Sequence, residues 1–366
     1  MLTLFFIISL TLFFFSTSKF PFFKRNNEII NTTYIFGHKN PDTDSIVSAI
    51  VMANLEKELG NPNYIQACRL GNINSETRYV LKYWNQEIPT LITESSPATE
   101  VILVDHNSYL QSSNDLKQSN VVKIIDHHAL GGLETVNPIN VILKPVGCAS
   151  TIIYELYNQN NVTINSKMAG LMLSAILSDT ILLKNSITTQ EDIDAVKRLS
   201  NLSDVNYQQY GYDMLLAGTN VSSMSESEVL NMDSKQYNVN NYLIQLSWLN
   251  AVDIKAVTNR KSKFVEEMQK QINNQNIDLF VLCILDIMNM DSTAIVSGDL
   301  SKAVEEAFNV KVEDNEVFLK GVSVRKKDLY PPIATVINTY EPKSNSGTLF
   351  LKMNLLLIVV LSLVLY

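Results

Sequence analysis

Cysteine is scarce in this 366-residue chain: only Cys68, Cys148 and Cys283, far apart and odd in number. That excludes a disulfide framework and a thiolate zinc site, both of which need cysteines at short, paired spacings. An excess of basic residues is also missing. Lys and Arg total 29 against 37 Asp and Glu, a net charge of −8. A phosphate-backbone binder needs a dominant basic surface, so no nucleic-acid partner is expected, although a local basic cluster can still hold a small anion. No tandem repeat of solenoid length is visible. No apolar run reaches the roughly 20 residues of a comfortable membrane span.

What is there is ample core material. Apolar residues make up 46% and charged residues 18%, which argues against bulk disorder, and the length predicts two domains.

The two ends differ from everything between them. Leu2 to Phe15 is uncharged and almost wholly apolar, followed by Ser16, Thr17, Ser18 and Lys19. That is the pattern of a signal-peptide apolar region with a cleavage site, here without a basic start; an uncleaved N-terminal anchor is the alternative. Leu355 to Tyr366 is apolar again, and the small residues Ser344, Asn345 and Ser346 upstream fit a glycolipid-anchor signal over 344–366. Glycosylation sequons begin at Asn31, Asn161, Asn201 and Asn220. Together these features predict the secretory route, with a lumenal or membrane-attached protein. If the terminal runs are not signals, the expected location is cytoplasmic.

Between the ends, short β-branched runs alternate with helical patterns. Thr33–Phe36, Val101–Val104 and Val121–Ile125 read as strands, Ser45–Leu59 and Met168–Leu177 as helices. This order predicts an α/β fold whose first domain, 32–218, has a mostly parallel sheet flanked by helices on both faces. In such sheets ligands gather at the carboxyl ends of the strands. The Gly-, Asn- and Ser-rich stretch from Gly218 to Glu228 lacks apolar periodicity and marks a linker, set at 219–226. Beyond it Tyr242–Leu246 and Leu279–Leu285 read as strands and Lys255–Asn273 as one amphipathic helix, giving a smaller mixed α/β domain over 227–340.

The chain has four histidines, and each stands beside an aspartate at the end of a predicted strand. His38 lies in Gly37–Ser45 with Asp42 and Asp44, His106 follows Asp105, and His127 and His128 follow Asp126; Asp179 closes the second helix. A lone Asp at a strand end is usually a cap or turn residue. Several at one edge of one sheet repel each other unless cations neutralise them. Imidazoles among carboxylates make an oxygen-rich site that suits manganese or cobalt better than zinc. There are ligands for two ions, with Asp105 central enough to bridge them, and paired ions activate water for phosphoryl transfer. Arg325, Lys326 and Lys327 form the densest basic run of an acidic chain. As a phosphate clamp, Arg gives a bidentate fork and Lys a point charge.

These motifs resemble the family II (DHH/DHHA2) inorganic pyrophosphatases. The matching stretches are GHKNPDTDS at 37–45, GNINSETRYVL at 71–81, VILVDHN at 101–107, DHH at 126–128, VGCAST at 146–151, LSAILSDT at 173–180, DLFVLCILDI at 278–287 and RKK at 325–327. The resemblance covers roughly residues 32–340 and leaves the terminal runs outside. It implies that His38, Asp42 and Asp105 hold one manganese ion, and Asp44, Asp105, His127 and Asp179 the other. His128 would contact substrate and assist proton transfer, so His128 and Asp105 are the catalytic candidates. Lys235, Arg325 and Lys326 would bind the phosphates, and His106 would orient its neighbours. One departure is Val324, which stands between Ser323 and Arg325 where the family has Ser next to Arg. The implied reaction is hydrolysis of pyrophosphate, entering with magnesium, by a hydroxide bridging the two ions. An exopolyphosphatase of the same superfamily is the alternative, and a non-enzymatic binding protein with the same fold a more distant one. The expected partners are pyrophosphate, a second copy in a homodimer, and a membrane through the terminal runs.

Overall fold

The computed structural model describes residues 31–93 and 100–343, together with the backbone of two short strands at Lys24–Arg25 and Glu28–Ile29. The expected leader at 1–18 and tail at 344–366 lie outside these side chains. No helix among the described residues is long and apolar enough to cross a membrane.

The first domain opens with β1 (Thr32–Phe36), α1 (Thr43–Glu58), β2 (Tyr64–Arg69), α2 (Ser75–Tyr83) and β3 (Thr90–Leu91). It continues with β4 (Glu100–Val104), β5 (Asn120–Asp126), β6 (Asn140–Leu143), then α3 (Ala149–Gln159), α4 (Ser166–Asp179), α5 (Gln190–Ser203) and α6 (Tyr207–Thr219). All six strands are parallel, in the order β3-β2-β1-β4-β5-β6. The order reverses between β1 and β4. That opens a crevice at their carboxyl ends, where open parallel sheets take their ligands.

The helices gather on one face. α1 is buried almost all round from Thr43 to Ala53, because the sheet covers one side and α3 and α4 the other. A helix so enclosed needs no polar stripe. The opposite face, lined by Tyr34, Phe36, Val101, Leu103 and Ile124, packs under Leu116, Tyr109 and Leu133. Short 3-10 turns at Tyr109–Gln111 and Leu116–Gln118 lie on this side, whereas the sequence predicts helices on both faces. The links β4→β5 and β5→β6 carry no α-helix.

The second domain contains α7 (Glu226–Met232), β7 (Ser234–Val239), β8 (Tyr242–Ala251), α8 (Ile254–Thr258), α9 (Lys261–Gln275), β9 (Leu279–Asp286), β10 (Asp291–Ser297), α10 (Ser301–Phe308), β11 (Glu316–Leu319), a π-helical turn at Arg325–Leu329 and α11 (Tyr330–Ile337). Its sheet runs β11-β10-β9-β8-β7, with only β8 and β9 parallel.

Two sequence expectations change here. The single helix over 255–273 is two helices, broken at Asn259–Arg260, where the Arg260 guanidinium turns to bind Val221 O, Met224 O and Glu226. The acidic end of the Gly218–Glu228 stretch is helical from Glu226: Ser225 and Glu228 form a reciprocal capping box that supplies the first turn with partners. Between the domains, Lys184 Nζ donates to Met288 O at 3.0 Å, and Val252 N to Thr219 Oγ1 at 3.3 Å.

Candidate metal centre

The three strands nearest the crevice each deliver acid and imidazole at their carboxyl ends. After β1, Gly37 lets the chain pass against α1, and His38 and Asp42 follow. Asp42 caps α1 by accepting Ser45 N at 3.0 Å, so the ordinary role of a strand-end aspartate is present as well. Asp44, fully buried in the first turn of α1, accepts from Ala149 N (2.8 Å), Ser150 N (3.2 Å), Ser150 Oγ (3.1 Å) and Ser48 Oγ (2.7 Å). The amino terminus of α3 thus points two of its N–H groups at this carboxylate.

Asp105 follows β4 in a left-handed conformation, φ 58°, which Asp tolerates better than most residues and which its backbone bond to Ile125 O maintains. It is 2% exposed. Its two oxygens face different histidines: Oδ2 lies 3.3 Å from His38 Nε2, and Oδ1 3.2 Å from His127 Nε2. His38 Nε2 is also 3.5 Å from Asp42 Oδ2. His127 Nε2 is 3.9 Å from Asp44 Oδ2 and 3.8 Å from Asp179 Oδ2. The expected trio His38, Asp42 and Asp105 and the expected quartet Asp44, Asp105, His127 and Asp179 therefore each meet, and Asp105 belongs to both.

Several supports went unread in the sequence. Asp126, buried at the end of β5, accepts the backbone N–H of His127 and His128 and bonds His128 Nδ1 at 2.9 Å; Asn107 Nδ2 donates to its other oxygen. The first letter of the DHH run was the signal for it. Cys148, at the N-cap of α3, lies with Asp44 and Asp179 in one group whose ligand atoms fall within 4.8 Å of one another. Burial and those two aspartates push its thiol well up, so it stands there as a neutral S–H. Asp192 accepts Gly147 N at 2.8 Å and Thr151 Oγ1 at 2.6 Å, bracing the loop whose Val146 O bonds His127 Nδ1 at 3.1 Å. With Nδ1–H given to that carbonyl, Nε2 is the ligand nitrogen. His106 is not among the cluster's ion pairs. Fully buried, it bonds Val104 O through Nδ1 and stacks on Phe36, and burial pulls it down to about 4.

The electrostatics call for cations. Burial, then Asp44, Asp42 and Asp105, push the Asp179 carboxyl well above its ordinary range. Burial and Asp44 likewise raise Asp105 against the pull of His127 and His38. Asp105 Oδ2 is buried without a hydrogen bond of good geometry. Burial works to lower both imidazoles, yet Asp105 and Asp42 hold His38 up at about 10, and Asp105 and Asp44 hold His127 at about 9. A donor set of carboxylate oxygens and imidazole nitrogens with no thiolate fits manganese, and the orphaned oxygen and crowded carboxylates fit two such ions.

A consequence follows for pH. Below about 9, both imidazoles of the metal-free protein carry protons that a metal must displace. Manganese uptake near pH 7.5 is expected to release about two protons, and affinity to rise with pH until those values are passed. Calorimetry in buffers of different ionisation enthalpy checks this; uptake with no proton release would contradict it.

In the second domain the expected phosphate-binding residues lie on β7 and on the π-helical turn at Arg325–Leu329. Lys235 and Lys326 are exposed. Arg325 bonds Asp233 twice, Nη1 to its carbonyl and Nη2 to its carboxylate, both at 2.8 Å, two residues before Lys235. Its Nε is buried without a partner.

Fold and site define the class: a two-domain phosphoesterase of the DHH type. Residues 32–176 match the DHH family N-terminal domain and residues 212–336 the DHHA2 domain. A manganese-dependent inorganic pyrophosphatase of Staphylococcus epidermidis is 42% identical over 305 residues, 83% of this chain and 98% of the relative. One from Brevibacillus brevis is 45% identical over 298 residues, 81% and 96% of the two chains. The crystal structure of a Methanococcus jannaschii family II inorganic pyrophosphatase, 39% identical, superposes with a TM-score of 0.55 over 84% of this chain and 99% of that one. The chain belongs to the family of manganese-dependent, family II inorganic pyrophosphatases.

Proposed function

We infer that this chain is a hydrolase that cleaves inorganic pyrophosphate into two phosphates. The observation that carries the reading is Asp105, whose two oxygens each face a different histidine at 3.2–3.3 Å. His38, Asp42 and Asp105 would hold one manganese ion, and Asp44, Asp105, His127 and Asp179 the other. When bound, such a pair supplies a strong nucleophile from water at neutral pH and neutralises charge on the phosphoryl oxygens.

The chain's own groups do the rest. His128, 51% exposed and fixed by Asp126 through Nδ1, keeps Nε2 to move a proton to or from the reacting phosphate. Asp126 raises this imidazole, so His128 holds its proton more firmly than a free histidine. Lys235, Lys326 and Arg325 meet the phosphates from the second domain, with Asp233 steadying the Arg325 fork. Magnesium arrives with the substrate. We place the catalytic domain at 32–218, the linker at 219–226 and the substrate domain at 227–340, the linker letting the second domain close over the site.

Phosphate release from pyrophosphate and from tripolyphosphate, with manganese or magnesium alone, tests this reading. Fast, manganese-enhanced release from pyrophosphate with little from tripolyphosphate is expected. Preference for the longer chain would make the protein an exopolyphosphatase, and release from neither would leave a binding role.

A further inference from the structure

The motif at 71–81 has so far had no part in the chemistry. Its Glu76 stands in the first turn of α2 and sends its carboxylate among the supports of the metal centre. Oε1 accepts the hydroxyl of Thr43 at 2.6 Å and also the hydroxyl of Ser178. Thr43 lies between Asp42 and Asp44, and Ser178 immediately precedes Asp179. One oxygen therefore ties together two segments, distant in sequence, that carry three of the six proposed metal ligands.

The neighbourhood makes a carboxylate an expensive choice there, with Asp42, Asp44 and Asp179 already repelling one another. Two hydroxyl donors converging on one atom, however, require a group that only accepts. Thr77, next in the helix, completes the clamp with its hydroxyl 3.1 Å from that of Thr43. From the other side, α6 presses close: a Cβ on Gly218 would lie 2.9 Å from Glu76 Cβ and 3.0 Å from Oε2. Glu76 is thus lodged between the ligand segments and the last turn of the helix that leads into the linker.

We propose that Glu76 is a positioning residue of the metal centre, fixing the spacing between the Asp42–Asp44 segment and Asp179 by accepting from Thr43 and Ser178 together. It touches neither metal nor substrate. The proposal rests on the reading that those aspartates hold manganese. Loosening the clamp acts on ligands of both ions and leaves Lys235, Arg325 and Lys326 untouched. Metal affinity and kcat therefore suffer, while KM for pyrophosphate at saturating manganese stays near its original value.

The test is manganese binding to the metal-free full chain, followed by the electron paramagnetic resonance of free manganese. It is run for the unaltered protein, Glu76→Gln, Glu76→Ala, Ser178→Ala and the double variant Glu76→Ala with Ser178→Ala. Glu76→Ala is expected to weaken binding about 10–100-fold, the range for groups that orient ligands. Glu76→Gln and Ser178→Ala should lose less, and the double variant no more than Glu76→Ala alone, since both changes break one clamp. Thermal unfolding of the metal-free variants should stay within a few degrees of the original, separating this from general damage. Unchanged affinity in Glu76→Ala and Ser178→Ala, or strictly additive losses, would overturn the proposal. If Glu76→Ala does not fold, Ser178→Ala and Thr43→Val decide it by the same readout. An unaltered chain that takes up no manganese would instead overturn the metal reading itself, and this proposal with it.

Discussion

Asp105→Asn is expected to lower kcat on the order of a thousandfold or more. The carboxylate is 2% exposed, is flanked by His38 and His127, and is shared by both sets of proposed ligands. An amide keeps its shape but loses the anionic oxygen that draws two cations together. Metal stabilisation of phosphoryl charge is worth several kcal/mol, and about 4 kcal/mol corresponds to roughly three decades in rate. Steady-state kinetics with manganese stoichiometry measure the effect. A variant that keeps two ions and full turnover would remove Asp105 from the bridging role.

The second large effect comes from a residue with no side chain. Gly37→Ala would place its Cβ 1.9 Å from Ser45 Oγ and 2.8 Å from Ser45 Cα. Rotating the hydroxyl relieves the first contact but not the second, since the Cα belongs to the first turn of α1. Either α1 or the His38 loop must yield, and those two carry His38, Asp42 and Asp44. Displacements of this order cost about 10²-fold in rate, and overpacking costs about 1–3 kcal/mol of stability. Activity against manganese concentration should show the loss only partly recovered at high metal. Wild-type kinetics in Gly37→Ala would mean the loop absorbs the methyl without moving the ligands. Ser45→Ala is the companion test: Ser45 Oγ is buried without a hydrogen bond, so its removal should do little.

The centre was legible because its chemistry is concentrated. Carboxylates and imidazoles recur at the ends of apolar runs, and each run is short enough to be a buried strand. That pattern placed His38, Asp105 and His127 at one sheet edge before any coordinates, and resemblance to the family divided them between two ions. What escaped was the scaffolding. Glu76, Asn107 and Ser150 lie inside the quoted motifs and Asp192 outside them, and each acts on a partner distant in the chain that no local pattern reveals. The break at Asn259–Arg260 was invisible for a similar reason: local propensity favours one helix, and the tie from Arg260 to the linker overrides it. The capping box at Ser225 and Glu228 is a different case, because the signal was present and composition masked it.

The segment after Asp179 divides the two kinds of information most clearly. Ile181, Leu182 and Leu183 all take left-handed conformations, with φ of 47°, 55° and 65°. Each costs roughly 1–2 kcal/mol for an L-residue, and a β-branched Ile is the worst placed of all. The turn persists because Thr180 accepts Lys184 N and Asn185 N through its carbonyl and Leu183 N through its hydroxyl, while Leu182 packs against Gly211. Residue types and their spacing by themselves determined the parallel sheet, the edge at which ligands gather, and the donor chemistry that selects manganese, because hydrophobic period and ligand type are local properties. Tertiary structure alone decided which oxygen of Asp105 faces which histidine, how Arg325 rests on Asp233, and that a strained turn should hold Asp179 in place. Those depend on contacts between distant segments, whose combined free energy outweighs what any short stretch of chain prefers.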